Sequence, residues 1–161
     1  MKEGYIKKEN RKKILLITDD IRVHSGVAQV GREIVMNTLH KYNWVQMAGA
    51  VEHPDQGKII DMENSIKEQN LTDVVDPSLI LYPVKGYGDI KTLNEVLSRE
   101  KPDALFLITD PRYFSWLFHN EDQIRKNIPI AYLNIWDNYP APMYNKEFYE
   151  SCDLLMGISK Q

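Results

Sequence analysis

Cysteine is almost missing from this 161-residue sequence: Cys152 is the only one, so no internal disulfide can form and no cysteine cluster can hold a metal. Long apolar runs are missing as well. The longest fall far short of a membrane span and no apolar secretion segment opens the chain, so cytoplasmic residence is the expectation. Charge of one sign is scarce, and a formal net charge of −3 argues against nucleic-acid binding by bulk electrostatics. The eight glycines form neither Gly-x-Gly-x-x-Gly nor Gly-x-x-x-x-Gly-Lys-Ser/Thr, which speaks against a dinucleotide fingerprint and against ordinary nucleotide hydrolysis. The four histidines, His24, His40, His53 and His119, are scattered without an i, i+4 pair, so no metal site is expected. His40 falls near the end of a helical pattern, where a cation meets the dipole favourably, and is expected at the surface. Cys152 is expected to pack as a small residue rather than act as a nucleophile.

What is present is an ordinary apolar content of 43%, enough for one domain with a proper core and too little chain for two large ones. The first thirteen residues carry six Lys/Arg against two Glu, a local charge of +4, in an interrupted pattern without an apolar face. Residues 1–12 are therefore expected to form a solvated basic arm ahead of a domain spanning 13–161.

The chain is organised around its first apolar run. Ile14-Leu-Leu-Ile17 has the length of a buried strand, Thr18 to Ser25 is polar, and Val27, Val30, Ile34, Thr38 and Tyr42 then recur at helical spacing. Ser25 is placed to cap that helix, and Gly26 leaves its first N–H groups unobstructed. Further strands are expected at Trp44 to Val51, Leu79 to Val84, Ala104 to Thr109, Ile128 to Ile135 and Leu154 to Ile158. Helices are expected at Ile90 to Arg99, at Tyr113 to Lys126 in one broken or two short pieces, and at Tyr144 to Ser151, with a weak one from Asp61 to Gln69 inside the polar stretch Glu52 to Pro77. Strands alternating with helices predict an α/β fold: a mostly parallel sheet of about six strands with helices on both faces, a Rossmann-like three-layer sandwich.

In a parallel sheet the loops that follow the strands meet at one edge, here Thr18–Gly26, Lys85–Asp89, Thr109–Arg112, Trp136–Pro142 and Ser159. Asp19-Asp20 after the first strand suggests a phosphoacceptor site, but such a site also needs an Asp after the third strand and a Lys after the fifth, where the chain has Val84-Lys85 and Ile135-Trp136.

Four groups of residues then carry a resemblance: Ile14-Leu-Leu-Ile with Ser25-Gly-Val-Ala-Gln-Val-Gly-Arg-Glu-Ile-Val; Lys101-Pro-Asp-Ala-Leu with Asp110-Pro; Ile128-Pro-Ile-Ala-Tyr with Trp136-Asp; and Ser151-Cys-Asp-Leu-Leu-Met-Gly-Ile-Ser159. In order and spacing they resemble the N-terminal half of a GT-B glycosyltransferase of the large retaining group. The resemblance implies a nucleotide-sugar donor as substrate, no cofactor and no metal, with a saccharide, lipid or other acceptor bound by this half. It implies Ser25 and Gly26 near the donor's diphosphate and the transferring sugar. Where the family often has a His after the fourth strand this chain has Thr109-Asp110-Pro111, so Thr109, Asp110 and Arg112 are expected to take up substrate hydroxyls, with Trp136 beside them. Asp137, where relatives carry His or Asp, is the expected catalytic-site carboxylate. Tyr87, Tyr113, Trp116, Trp136 and Tyr139 could stack on a sugar ring. The resemblance also implies a donor-binding second domain outside these residues, without which transfer would be inefficient. A stand-alone flavodoxin-like binding module without catalysis is the alternative, and a nucleobase acceptor reached by the basic arm is a third reading.

Overall fold

The computed structural model of the chain describes residues 3–136, 140 and 142–158. In chain order the strands are β1 (Lys12–Asp19), β2 (Tyr42–Gly49), β3 (Ile60–Asp61), β4 (Leu79–Pro83), β5 (Ala104–Ile108), β6 (Ile130–Asn134) and β7 (Leu154–Gly157). The helices are α1 (Gly26–Thr38), α2 (Glu63–Glu68), α3 (Ile90–Glu100), α4 (Ser115–Phe118), α5 (Glu121–Arg125) and α6 (Lys146–Glu150). Within β1 the side chains of Leu15 and Ile17 join one core cluster and Leu16 the other, all three without solvent exposure. A strand buried on both faces must be flanked on both edges, and β2 and β5 pair with it in parallel.

The sheet order is β3-β4-β2-β1-β5-β6-β7, parallel throughout except for β3, which runs antiparallel to β4. The parallel strands alone run third, second, first, fourth, fifth, sixth in chain order, two halves wound outward from β1. Val35 and Leu39 of the α1 segment and Ile66 of α2 pack with Leu16, Trp44, Leu81 and Phe106 on one face. Leu93 and Val96 of α3, Leu117 and Phe118 of α4 and Ile124 of α5 pack with Leu15, Ile17, Val45 and Tyr132 on the other. Each aliphatic side chain fully buried this way contributes about 1.5–3 kcal/mol. The three-layer α/β sandwich read from the sequence is the observed architecture.

Differences are local. β3 lies inside the stretch read as polar, because a two-residue strand has no periodicity of its own and exists only through Ile60 and Asp61 pairing with Leu81 and Ile80. Being short and carrying Asp61, it also blunts that sheet edge. The segment expected as a broken helix begins with a 3-10 turn at Pro111–Phe114 and continues as α4 and α5.

The basic segment at the start of the chain is anchored through Arg11 and through backbone contacts. The Arg11 side chain has no exposed surface. Its Nε donates to Ile6 O at 2.7 Å, one Nη to Asp76 O at 2.7 Å, and the other to the Asp76 carboxylate. The Lys8 N–H also reaches Asp76 (3.2 Å), Asn43 donates to Lys8 O (2.9 Å), and the Ile6 N–H donates to His40 O (2.9 Å). Residues 5–11 are thus anchored to the domain while Ile6, Lys7, Glu9 and Asn10 stay exposed, and His40, expected at the surface, is buried. Charge counting along the chain cannot see Asp76, 65 residues away, which neutralises Arg11.

Candidate functional site

The order of the parallel strands reverses at β1, so the loops after β1 and β5 part company and leave a crevice at the carboxyl edge of the sheet. Six of the candidate residues lie on or beside that edge within the described residues; Asp137 and Tyr139, with Ser159, lie outside them.

On the β1 side Ser25 caps α1, accepting the Ala28 N–H at 2.9 Å while donating to Asp19 Oδ2 at 2.7 Å. Gly26 starts the helix with nothing within 4 Å of the place a Cβ would occupy, and its φ is not in the left-handed region. Neither packing nor turn geometry requires a glycine there. Among the described residues no acceptor faces the Gly26 and Val27 N–H groups, as expected for a first helical turn. Asp19 is buried at the end of β1 and also accepts a 2.7 Å hydrogen bond from the Tyr87 hydroxyl. Gln46, fully buried on β2, donates to Asp19 O at 2.8 Å and holds the strand end in place. Asp20 serves a different purpose. It is fully buried and takes Arg22 bidentately, Nη2 to Oδ2 at 2.7 Å and Nε to Oδ1 at 3.0 Å, so its charge is neutralised inside the loop.

Tyr87 connects the two sides. Burial, then its bond to Asp19, pushes its phenol well above the usual tyrosine range. Its ring lies 5.1 Å from that of Tyr113 and edge-on to Phe114 at 5.5 Å, both on the loop after β5. Gly49, at the end of β2, approaches Gly86 so closely that an added Cβ would lie 2.4 Å from Gly86 O.

On the β5 side Thr109 has φ +120°, outside even the left-handed helical region that Ala50, Asn70 and Lys101 occupy. For a buried, β-branched residue such a conformation costs about 1–3 kcal/mol and must be held by its surroundings. The Tyr132 hydroxyl does so in part, donating to Thr109 O at 2.5 Å. Asp110 accepts the Arg112 N–H at 2.9 Å, capping the 3-10 turn, and grips the Arg112 guanidinium through both carboxylate oxygens. The guanidinium holds the Asp110 carboxyl below its usual range. The largely exposed Arg112 head also lies 6.0 Å from the Trp136 ring and 5.8 Å from that of Tyr144, two rings that meet edge-on at 6.1 Å.

The described rim therefore has two clusters: Ser25 with Asp19 and Tyr87, and Asp110 with Arg112, Trp136 and Tyr144, joined where the Tyr87 ring meets Tyr113 and Phe114. No family model, curated protein or solved structure matches this chain. What the rim can do must be read from its own chemistry. Free helix N–H groups suit an anion, and a paired carboxylate and guanidinium beside exposed aromatic rings suit a ligand with an apolar face and hydroxyl edges. Among the described residues no group of three or more His, Cys, Asp or Glu could hold a metal, and no helix is long and apolar enough to cross a membrane. An open groove between α3 and α5 is lined by Asn94, Asn120, Gln123 and Asn127, with Lys101, Pro102 and Ile128 preceding β5 and β6, away from the rim.

Sequence reasoning missed three of these residues. Asp19 reads as part of the Thr18–Gly26 loop and as half of a phosphoacceptor pair but not as the partner of Ser25 and Tyr87, Tyr132 sits inside an apolar run as one more core aromatic, and Tyr144 looks like the start of an amphipathic helix. The one available signal was that a tyrosine in the middle of a buried strand must find a partner for its hydroxyl.

Proposed function

We propose that this chain is the acceptor-side half of a glycosyltransferase that takes its sugar from a nucleotide-diphosphate sugar. The observation that carries the reading is Gly26: a glycine that the fold itself does not need, with empty space before it, at the head of the helix that opens on the crevice. In this reading the Gly26 and Val27 N–H groups face the donor's diphosphate or the sugar being transferred, where fixed backbone dipoles stabilise developing negative charge. Ser25 keeps that turn in place, and its own hydroxyl is already committed to Asp19 and Ala28. Asp110 and Arg112 take the hydroxyls of the acceptor, Trp136 and Tyr144 its apolar face, and Asp137 serves as the catalytic-site carboxylate. The family resemblance of the strand-end motifs supports the same assignment.

The test has two arms. Isotope-labelled chain is titrated with a panel of mono- and disaccharides and nucleotide sugars, and amide and side-chain resonances are followed. Shifts are expected at Gly26, Thr109, Arg112 and the Trp136 indole; saccharide binding elsewhere, or nowhere, favours a binding module of another kind. In the full-length gene product, transfer from nucleotide sugars is measured with and without Asp137→Asn, which is expected to slow turnover by roughly a hundredfold or more. Unchanged turnover in that variant removes Asp137 from the catalytic role.

A further inference from the structure

The Asp110–Arg112 pair is a closed unit. Pro111 restricts its own φ, Asp110 accepts the Arg112 backbone N–H, and the carboxylate and guanidinium grip each other, so little inside the unit is free to turn. Its direction is therefore decided one residue earlier, at Thr109. That residue departs from ordinary backbone geometry, and the Tyr132 hydroxyl meets it at its carbonyl. Tyr132 is fully buried, with Phe118 edge-on and Tyr149 stacked against its ring, so its hydroxyl cannot follow a moving partner. Asn134 Oδ1 lies 3.2 Å from the same hydroxyl, but the single phenolic proton goes to the closer carbonyl at 2.5 Å.

We propose that Tyr132 is a positioning residue of this site: by bonding Thr109 O it holds the strained turn that aims the Asp110–Arg112 pair at Trp136 and Tyr144. It touches no substrate. Its effect on the crevice runs entirely through the backbone at Thr109, and only the purpose of the aimed pair rests on the sugar-transfer reading.

The experiment is a double cycle in the free chain, with no ligand added. The ring-current displacement of the Arg112 Nε–H resonance, which reports how the Trp136 and Tyr144 rings face the guanidinium, is measured by NMR in wild type, Tyr132→Phe, Thr109→Gly and the double variant. Tyr132→Phe removes the hydroxyl alone and should cut that displacement to roughly half or less as the turn swings. Glycine reaches φ +120° unaided, so in the Thr109→Gly background the same change should alter it by no more than roughly a tenth. An equal loss in both backgrounds would make Tyr132 a core residue only and overturn the proposal, as would no loss at all. If Tyr132→Phe does not fold, the wild-type chain decides: a slowly exchanging Tyr132 hydroxyl proton close to Thr109 is expected, and its absence overturns the proposal. Because no sugar enters the measurement, its failure is distinct from failure of the glycosyltransferase reading, which the titration and transfer assays report.

Discussion

Adding one methyl group at Gly49 should dismantle the rim from behind. An alanine Cβ there would lie 2.4 Å from Gly86 O, 3.2 Å from Tyr87 Cα and 3.1 Å from Tyr87 Cδ1. Two of these three neighbours are backbone, and Gly86 O is also pinned by the Ala50 N–H at 2.7 Å. Moving the oxygen from 2.4 Å to ordinary contact beyond 3.4 Å needs a shift of about 1 Å in the segment that carries Tyr87. Such a shift breaks the 2.7 Å bond from the Tyr87 hydroxyl to the buried Asp19 carboxylate. Overpacking of this kind costs about 1–3 kcal/mol and a lost hydrogen bond to a charged group about 1.5–3 kcal/mol. One loop movement causes both losses, so they overlap, and about 3 kcal/mol is expected for Gly49→Ala. Urea denaturation of Gly49→Ala, Tyr87→Phe and the double variant measures this, with the double variant losing clearly less than the sum. A Gly49→Ala protein within about 0.5 kcal/mol of wild type would mean that the Gly86–Tyr87 turn yields freely, and that Tyr87 does not tie the two sides of the crevice together.

Gly26→Ala should behave in the opposite way: stability unchanged or raised by up to about 1 kcal/mol, with the saccharide and nucleotide-sugar shifts lost. Destabilisation beyond about 1 kcal/mol in the same urea assay would show that the fold itself requires this glycine. Acid should release the docked arm. Burial pushes the Asp76 carboxyl up, but the Arg11 and Tyr5 side chains and the Lys8 N–H outweigh it and hold the group below its usual range. A depressed folded value means that its stabilisation is complete above the unfolded pKa of about 3.9 and is lost as pH falls through the folded value. Asp76→Asn should therefore be less stable than wild type at pH 7, with the gap closing under acid; a gap that persists at the lowest pH refutes the linkage. Cys152 should be inert: burial pushes its thiol up to about 12, so labelling by a disulfide reagent at pH 8 is expected to run at least roughly a hundredfold slower than for a free cysteine until urea exposes it. Rapid labelling of the folded chain would contradict the packing around that residue.

The candidate site was partly legible before any coordinates. Ser25 as a cap, Gly26 as an open position, and Asp110 with Arg112 at a strand end all follow from residue types a few positions apart. The partners that make these residues a connected rim could not be found that way. Tyr87 meets Asp19 across 68 positions and Tyr132 meets Thr109 across 23, and neither spacing has a local signature. Thr109 is legible as a strand-end residue but its strain is not, since no pattern of residue types marks a threonine with φ +120°.

By itself the sequence determined what short-range physics decides: the six parallel strands and the two longer helices to within a few residues, that the central strands are buried on both faces, and that polar residues gather after the strands. Apolar alternation and helical spacing act within one or two turns of chain, and they hold whatever the neighbours are. Tertiary structure alone decided the two-residue strand at Ile60–Asp61, the burial of Arg11 against Asp76, and the joining of the β1 and β5 loops through Tyr87, Tyr113 and Phe114. Each depends on which strand lies beside which, and that order follows from how distant segments share the burial of a common core, a quantity that no short stretch of residues carries.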